Sequence, residues 1–107
     1  MQKKVIFMNN LYILDGNSFN DLEGFYNEMD KLLTKDLPYK TGHNYAAFND
    51  LLRGGFNKHE YGDSIIIRWI NFNKSKKDLG PDVVLDILEI MLDCDNSGHD
   101  VKVELIG

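Results

Sequence analysis

His43, His59 and His99 are the side chains of this sequence best suited to metal binding or proton transfer, and their spacing serves neither. None has a second histidine at i, i+4 or sits in an HExxH pattern, so they read as loop residues rather than metal ligands. Ser18, Ser64, Ser75 and Ser97 lie in no strand–turn–helix context that would expose a nucleophile. Gly54-Gly55 is not followed by the Lys-Ser/Thr of a phosphate-cradling loop. The chemistry left is that of carboxylates. Between Asp78 and Glu104 stand Asp78, Asp82, Asp86, Glu89, Asp93, Asp95, Asp100 and Glu104 against Lys102 alone, a local charge of −7. Asp82, Asp86, Glu89 and Asp93 recur at i, i+4, i+7 and i+11, one stripe along a helix. Most of such a stripe is the solvated face of an amphipathic helix. A carboxylate surface can also steer a cationic partner and speed its arrival.

The whole chain agrees with that bias. Its 107 residues suit one domain with one core, spanning 1–107. Net charge is −5 with a pI near 5.0, so direct nucleic-acid binding is disfavoured by repulsion from phosphate. Cys94 is the single cysteine, which leaves no intramolecular disulfide and fits a reducing cytoplasm. The apolar run Val5 to Met8 is too short for a signal sequence or a membrane span. The expectations are a cytoplasmic chain, no membrane, no cofactor, no metal and no catalysis.

The elements that must carry these residues follow from periodicity. Val5 to Leu14 is β-rich and is either a hairpin about Asn9-Asn10 or one interrupted strand, closed by the turn Asp15-Gly16-Asn17. A first helix, capped by Ser18 or Asn20, places Leu22, Phe25, Tyr26, Met29, Leu32 and Leu33 on one face and is stopped by Pro38. A second helix is predicted from about His43 to Arg53, burying Tyr45 or Ala47 with Phe48, Leu51 and Leu52 and showing Ala46, Asn49, Asp50 and Arg53 outward. Ser64 to Ile70 is apolar without a break, as in a central strand covered on both faces. Phe72 to Leu79 reads as a short polar helix. Pro81 opens another, with Val83, Val84, Ile87, Leu88, Met91 and Cys94 packed and an end near Gly98. Asp100 to Ile106 alternates, Val101, Val103 and Leu105 inward. Helices alternating with strands imply an α/β fold with a largely parallel sheet.

Tyr39-Lys40-Thr41-Gly42-His43-Asn44-Tyr45-Ala46-Ala47-Phe48-Asn49-Asp50-Leu51-Leu52-Arg53-Gly54 resembles the signature segment of the barstar family. Ile66 to Ser75 and Gly98 to Leu105 resemble two further blocks of that family, and the likeness runs in order from about Leu11 to the end. The resemblance implies a three-stranded parallel sheet packed by about four helices, with a further N-terminal strand as an option. It implies an intracellular inhibitor that plugs the active site of a toxic ribonuclease in a 1:1 complex, the chain being a monomer when free. Carboxylates of the loop–helix segment then stand where substrate phosphate would, met by cationic groups of the enzyme. By position, Asp50 matches the principal helix acid, Gly42 and Asn44 the loop-to-helix turn, and Asp93 a supporting acid on the last helix. Tyr39, Lys40, His43, Ala46, Asn49 and Arg53 complete the expected partner surface. Three positions depart from the pattern: Ala46 stands where the family has an acid, Asn49 where it has a bulky aromatic, and Lys40-Thr41 where it has an aromatic before the glycine. Alternatives are immunity against a non-ribonuclease toxin, and a docking module that inhibits no enzyme.

Overall fold

The computed structural model describes residues 10–93 and 98–107. The Val5–Met8 part of the expected hairpin or strand, and Cys94, lie outside the described residues. Strand β1 (Leu11–Asp15) leads through a 3-10 turn (Gly16–Ser18) into helix α1 (Leu22–Leu33), then α2 (Tyr45–Arg53), β2 (Ser64–Ile70), α3 (Phe72–Leu79), α4 (Pro81–Leu92) and β3 (Asp100–Leu105). All three strands are parallel in the order β1-β2-β3, with Leu14 beside Trp69 and Ile65 beside Val101. This is the α/β fold with a three-stranded parallel sheet and four helices that the sequence implied.

One face of the sheet makes the core. Leu14, Ile65, Ile67, Trp69 and Val101 meet Phe25, Met29 and Leu33 of α1, Phe48 and Leu52 of α2, and Val84, Ile87 and Met91 of α4 in one buried cluster. Phe25 sits at its centre, its ring 5.3 Å from Phe48 and 5.9 Å from Trp69. Trp69 satisfies its indole N–H by donating to Ser75 Oγ at 3.0 Å, which fastens α3 to the sheet. A Cβ at Gly16 would lie 2.4 Å from that Ser75 oxygen, so only glycine fits the turn after β1.

The opposite face corrects one expectation. Ile66, Arg68 and Ile70 are only half-buried, so among the described residues β2 is fully covered on one face rather than both. An unbroken apolar run does not specify which faces are covered. Here the second face is held by cross-strand polar pairs, Arg68 to Glu104 at 2.6 Å and Ser64 to Asp100 at 2.5 Å. Along β3 the expected alternation fades: Val101 is buried, Val103 half-buried and Leu105, at the end of an edge strand, 45% exposed.

Helix ends differ from the sequence reading for local reasons. Asp21, not Ser18 or Asn20, caps α1 by accepting from the Gly24 N–H at 2.8 Å, because Ser18 is used in the preceding turn. The helix stops at Leu33, before Pro38. Thr34 turns extended, donates its hydroxyl to the Asp30 carbonyl at 2.6 Å and bridges to Asn57. Asn44 caps α2 through the Ala47 N–H, so this helix begins at Tyr45 rather than His43. Gly54, with φ 97°, ends it where a Cβ would meet the Glu60 carbonyl at 2.4 Å. Helix α4 ends at Leu92 rather than near Gly98, and Asp93 is its C-cap.

Candidate functional site

Helix α2 is amphipathic, and its two faces divide the labour. Phe48, Leu51 and Leu52 are drawn into the core, which forces Ala46, Asn49, Asp50 and Arg53 toward the outside. Asp50 projects with 58% of its side chain exposed, and its carboxylate is met by Arg53 at 3.2 Å, one turn on. An exposed i, i+3 pair of this kind is worth only about 0.3–0.5 kcal/mol, so it yields readily to a stronger cationic partner. Ala46 is exposed and Asn49 half-buried.

Asp50 stands on the rim of a cleft of about 300 Å³ lined by Tyr39, Thr41, Gly42, Ala47, Leu51 and Phe56. The preceding loop thus supplies one wall and α2 the other. At Gly42 a Cβ would press on Asn44 Nδ2 at 3.1 Å and on the Ala47 Cβ at 3.3 Å, so the glycine lets the loop lie close against the start of the helix. Tyr39, which lines it, and the neighbouring Lys40 are exposed. The cleft has an apolar floor and an acidic rim, a shape that receives a protruding side chain with a positive end.

Acids of α4 adjoin α2 at its first residue. Tyr45 donates its hydroxyl to Asp86 at 3.3 Å, and Tyr45, Asp86, Glu89, Ile90 and Asp93 line a shallow cleft of about 320 Å³. Burial, then the Asp86 charge, pushes the Tyr45 phenol above its ordinary value, so it stays neutral and a donor. Asp93 and Arg53 both act electrostatically on His99, and the Arg53 side chain lies against Gly98. The end of α2 and the end of α4 therefore adjoin at Arg53. Asp82, at the far end of the stripe, does not line this cleft.

Of the residues expected to form a partner surface, Tyr39, Lys40, Gly42, Asn44, Ala46, Asn49, Asp50 and Arg53 come from one loop–helix unit, and Asp93 joins them from α4. His43 faces the other way. Only 11% exposed, it sits between Glu23 and Asp30 of α1 with its ring stacked on Tyr26. Sequence reasoning also missed Thr41, Ala47, Leu51 and Phe56 as cleft walls. The signal for His43 was present in part: Glu23 and Asp30 are seven apart, two turns along one face of α1.

The other two histidines are loop residues as expected, yet both are buried. His59 Nε2 lies 3.2 Å from the Leu52 carbonyl, tying the segment after α2 back to that helix. Burial pushes His99 below its ordinary value. Among the described residues no three His, Cys, Asp or Glu side chains converge as metal ligands would. Nor, among them, is any helix long and apolar enough to cross a membrane. A larger cleft, about 470 Å³, lies at the start of β2 and β3 with Asp63, Asp100 and Lys102 around it. It mixes both signs of charge and shares no residue with the loop–helix unit.

No curated protein sequence matches the chain. A family model does, over residues 9–106, which takes in every described element from β1 to β3 and the whole loop–helix unit. On that match the chain belongs to the Barstar (barnase inhibitor) family, an inhibitor family rather than a catalytic one.

Proposed function

We propose that this chain is an intracellular immunity or antitoxin protein that blocks the active site of a toxic ribonuclease in a 1:1 complex. The observation that carries this reading is Asp50, an exposed carboxylate on the rim of a cleft built by the 39–44 loop and α2. A ribonuclease active site is a cationic hollow shaped for phosphate. Asp50 enters it as a phosphate surrogate, exchanging its weak contact with Arg53 for charge-assisted hydrogen bonds to the enzyme. The cleft beside it accepts a cationic or ring-bearing side chain from the enzyme's rim. Asp86, Glu89 and Asp93, with the overall charge of −5, supply the long-range attraction. On this reading the chain acts as a single domain in the cytoplasm, monomeric until it meets the enzyme.

The test is titration of a barnase-type ribonuclease with the purified chain while RNA cleavage is followed. Activity is expected to fall linearly to zero at equimolar inhibitor, and Asp50→Ala to bind far less tightly. Undiminished cleavage in a large excess of inhibitor would sink the reading for that class of enzyme.

A second reading rests on Ala46. An exposed alanine, one turn before Asp50, leaves the surface with a single helix acid where two would face a guanyl-type active site. This favours a toxin of different active-site chemistry as the target. Rescue of growth against the product of the neighbouring gene, with no inhibition of a barnase-type enzyme, would select it.

A further inference from the structure

The loop that builds the cleft is anchored behind by His43. Its Nδ1 lies 2.5 Å from Glu23 Oε2 and its Nε2 lies 2.9 Å from Asp30 Oδ2. Ionised carboxylates only accept hydrogen bonds, so satisfying both requires both ring nitrogens to carry protons. The geometry is that of an imidazolium. Thr41, two residues earlier, donates to the other oxygen of Asp30, and the ring stacks on Tyr26 with centroids 5.4 Å apart. The loop is thus pinned to α1 at two points, on either side of Gly42.

We propose that the His43 imidazolium is a positioning residue, a latch that holds the 39–44 segment on α1 and releases it when the ring loses its proton. The inference deepens the reading above, since the latched segment is the wall of the cleft beside Asp50. The neutral ring can donate to only one of the two acids and turns a lone pair toward the other. The groups facing the ring support the direction. From α1 these are Glu23, Asp30 and Tyr26; from α2, Tyr45 lies within electrostatic reach of Tyr26. Asp30, then Glu23, raise His43 above its ordinary value against the opposing effect of burial. Both phenols are pushed up and remain neutral as the imidazole titrates. A histidine whose pKa is higher with the loop closed favours closure fully below the open-state value. That preference disappears as pH rises through the closed-state value. The closure constant falls about tenfold for each unit separating the two.

The test needs no partner. The His43 imidazole is titrated by NMR on the free chain across about pH 6 to 9, bracketing a raised value. Amide-exchange protection factors of Ala47 and Phe48, whose N–H groups bond to Asn44 at the end of the loop, are measured over the same range, with those of β2 as reference. Loop protection is expected to fall with the midpoint of His43 while β2 is unchanged. His43→Gln should flatten the profile, and Glu23→Gln, at a site 64% exposed, should lower the midpoint without disturbing the fold. A flat loop profile in the parent chain, or a midpoint indifferent to Glu23→Gln, overturns the latch. Failure to inhibit any ribonuclease would instead strike the functional reading and leave these measurements standing.

Discussion

Asp30 on α1 and Asp50 on α2 are carboxylates on neighbouring amphipathic helices, and the fold treats them in opposite ways. Asp30 keeps 22% of its side chain exposed and accepts from His43 and Thr41. Asp50 is more than half exposed and is met by Arg53, one turn on in the same helix. The first acid is committed to holding a loop; the second is held in reserve on the surface that loop creates. Charge counted along the sequence does not separate them. What separates them is whether another segment folds back to supply a donor. By the same distinction Glu23, engaged by His43, and Asp86, which accepts from Tyr45, stand with Asp30, and Asp86 shares the wall of its cleft with Glu89 and Asp93.

Exchanging the two acids for alanine should break the comparison most sharply. Asp50→Ala is expected to weaken a ribonuclease complex by about 2 kcal/mol or more, at least ~30-fold in Kd. Its effect on stability should stay within about 0.5 kcal/mol, as for other exposed sites. Asp30→Ala should invert the pattern. Two donors, one of them nearly buried, lose their acceptor, a cost of about 1–3 kcal/mol in urea unfolding. Binding would then weaken only as far as the loop loosens. Equal losses of affinity and stability in both variants would show that the acids are not divided as the geometry has it.

Much of this division was not legible in the sequence, and the reasons are physical. The three strands and four helices were readable because each buries one face, and the periods of Phe25-Met29-Leu33, Phe48-Leu52 and Val84-Ile87-Met91 record those faces directly. Asp50 was readable through the family's motif, which is local in sequence. The contacts that set the rest are not local. His43 reaches Glu23 and Asp30 across twenty and thirteen residues, and Thr34 ends α1 with help from Asn57. The second face of β2 is another case. Ile66 and Ile70 are as apolar as Ile65 and Ile67, and only the absence of a packing layer over them, among the described residues, tells the two faces apart.

The comparison can also be sharpened by adding charge. Ala46 is exposed in the first turn of α2, where an acid interacts favourably with the helix dipole by about 0.3–1 kcal/mol. Repulsion from Asp50 four residues on opposes this by about 0.2–0.5 kcal/mol. Ala46→Asp should therefore be nearly neutral in thermal unfolding, and any change in affinity reports the partner. Tightening of several-fold toward a barnase-type ribonuclease would mean that its cationic hollow accommodates two carboxylates. Unchanged or weaker binding there would count for the second functional reading.

The smallest effect probes the end of the acidic stripe on α4. Asp93 caps α4, and its charge raises His99, partly offsetting the burial that lowers that residue overall. A histidine with a lowered value in the fold favours the native state fully above the unfolded value, near 6.5, and loses that contribution as pH falls toward the folded one. Asp93→Asn removes the supporting charge, so the His99 midpoint seen by NMR should fall further. The acid-side loss of stability should steepen with it, while the His43 midpoint stays in place. Asp93→Asn should also weaken a ribonuclease complex less than Asp50→Ala does, because Asp93 reaches the partner from the side of the loop–helix unit. A His99 midpoint that does not move would detach Asp93 from Arg53 and His99. The acidic surface would then shrink to Asp50 with the Tyr45–Asp86 pair behind it.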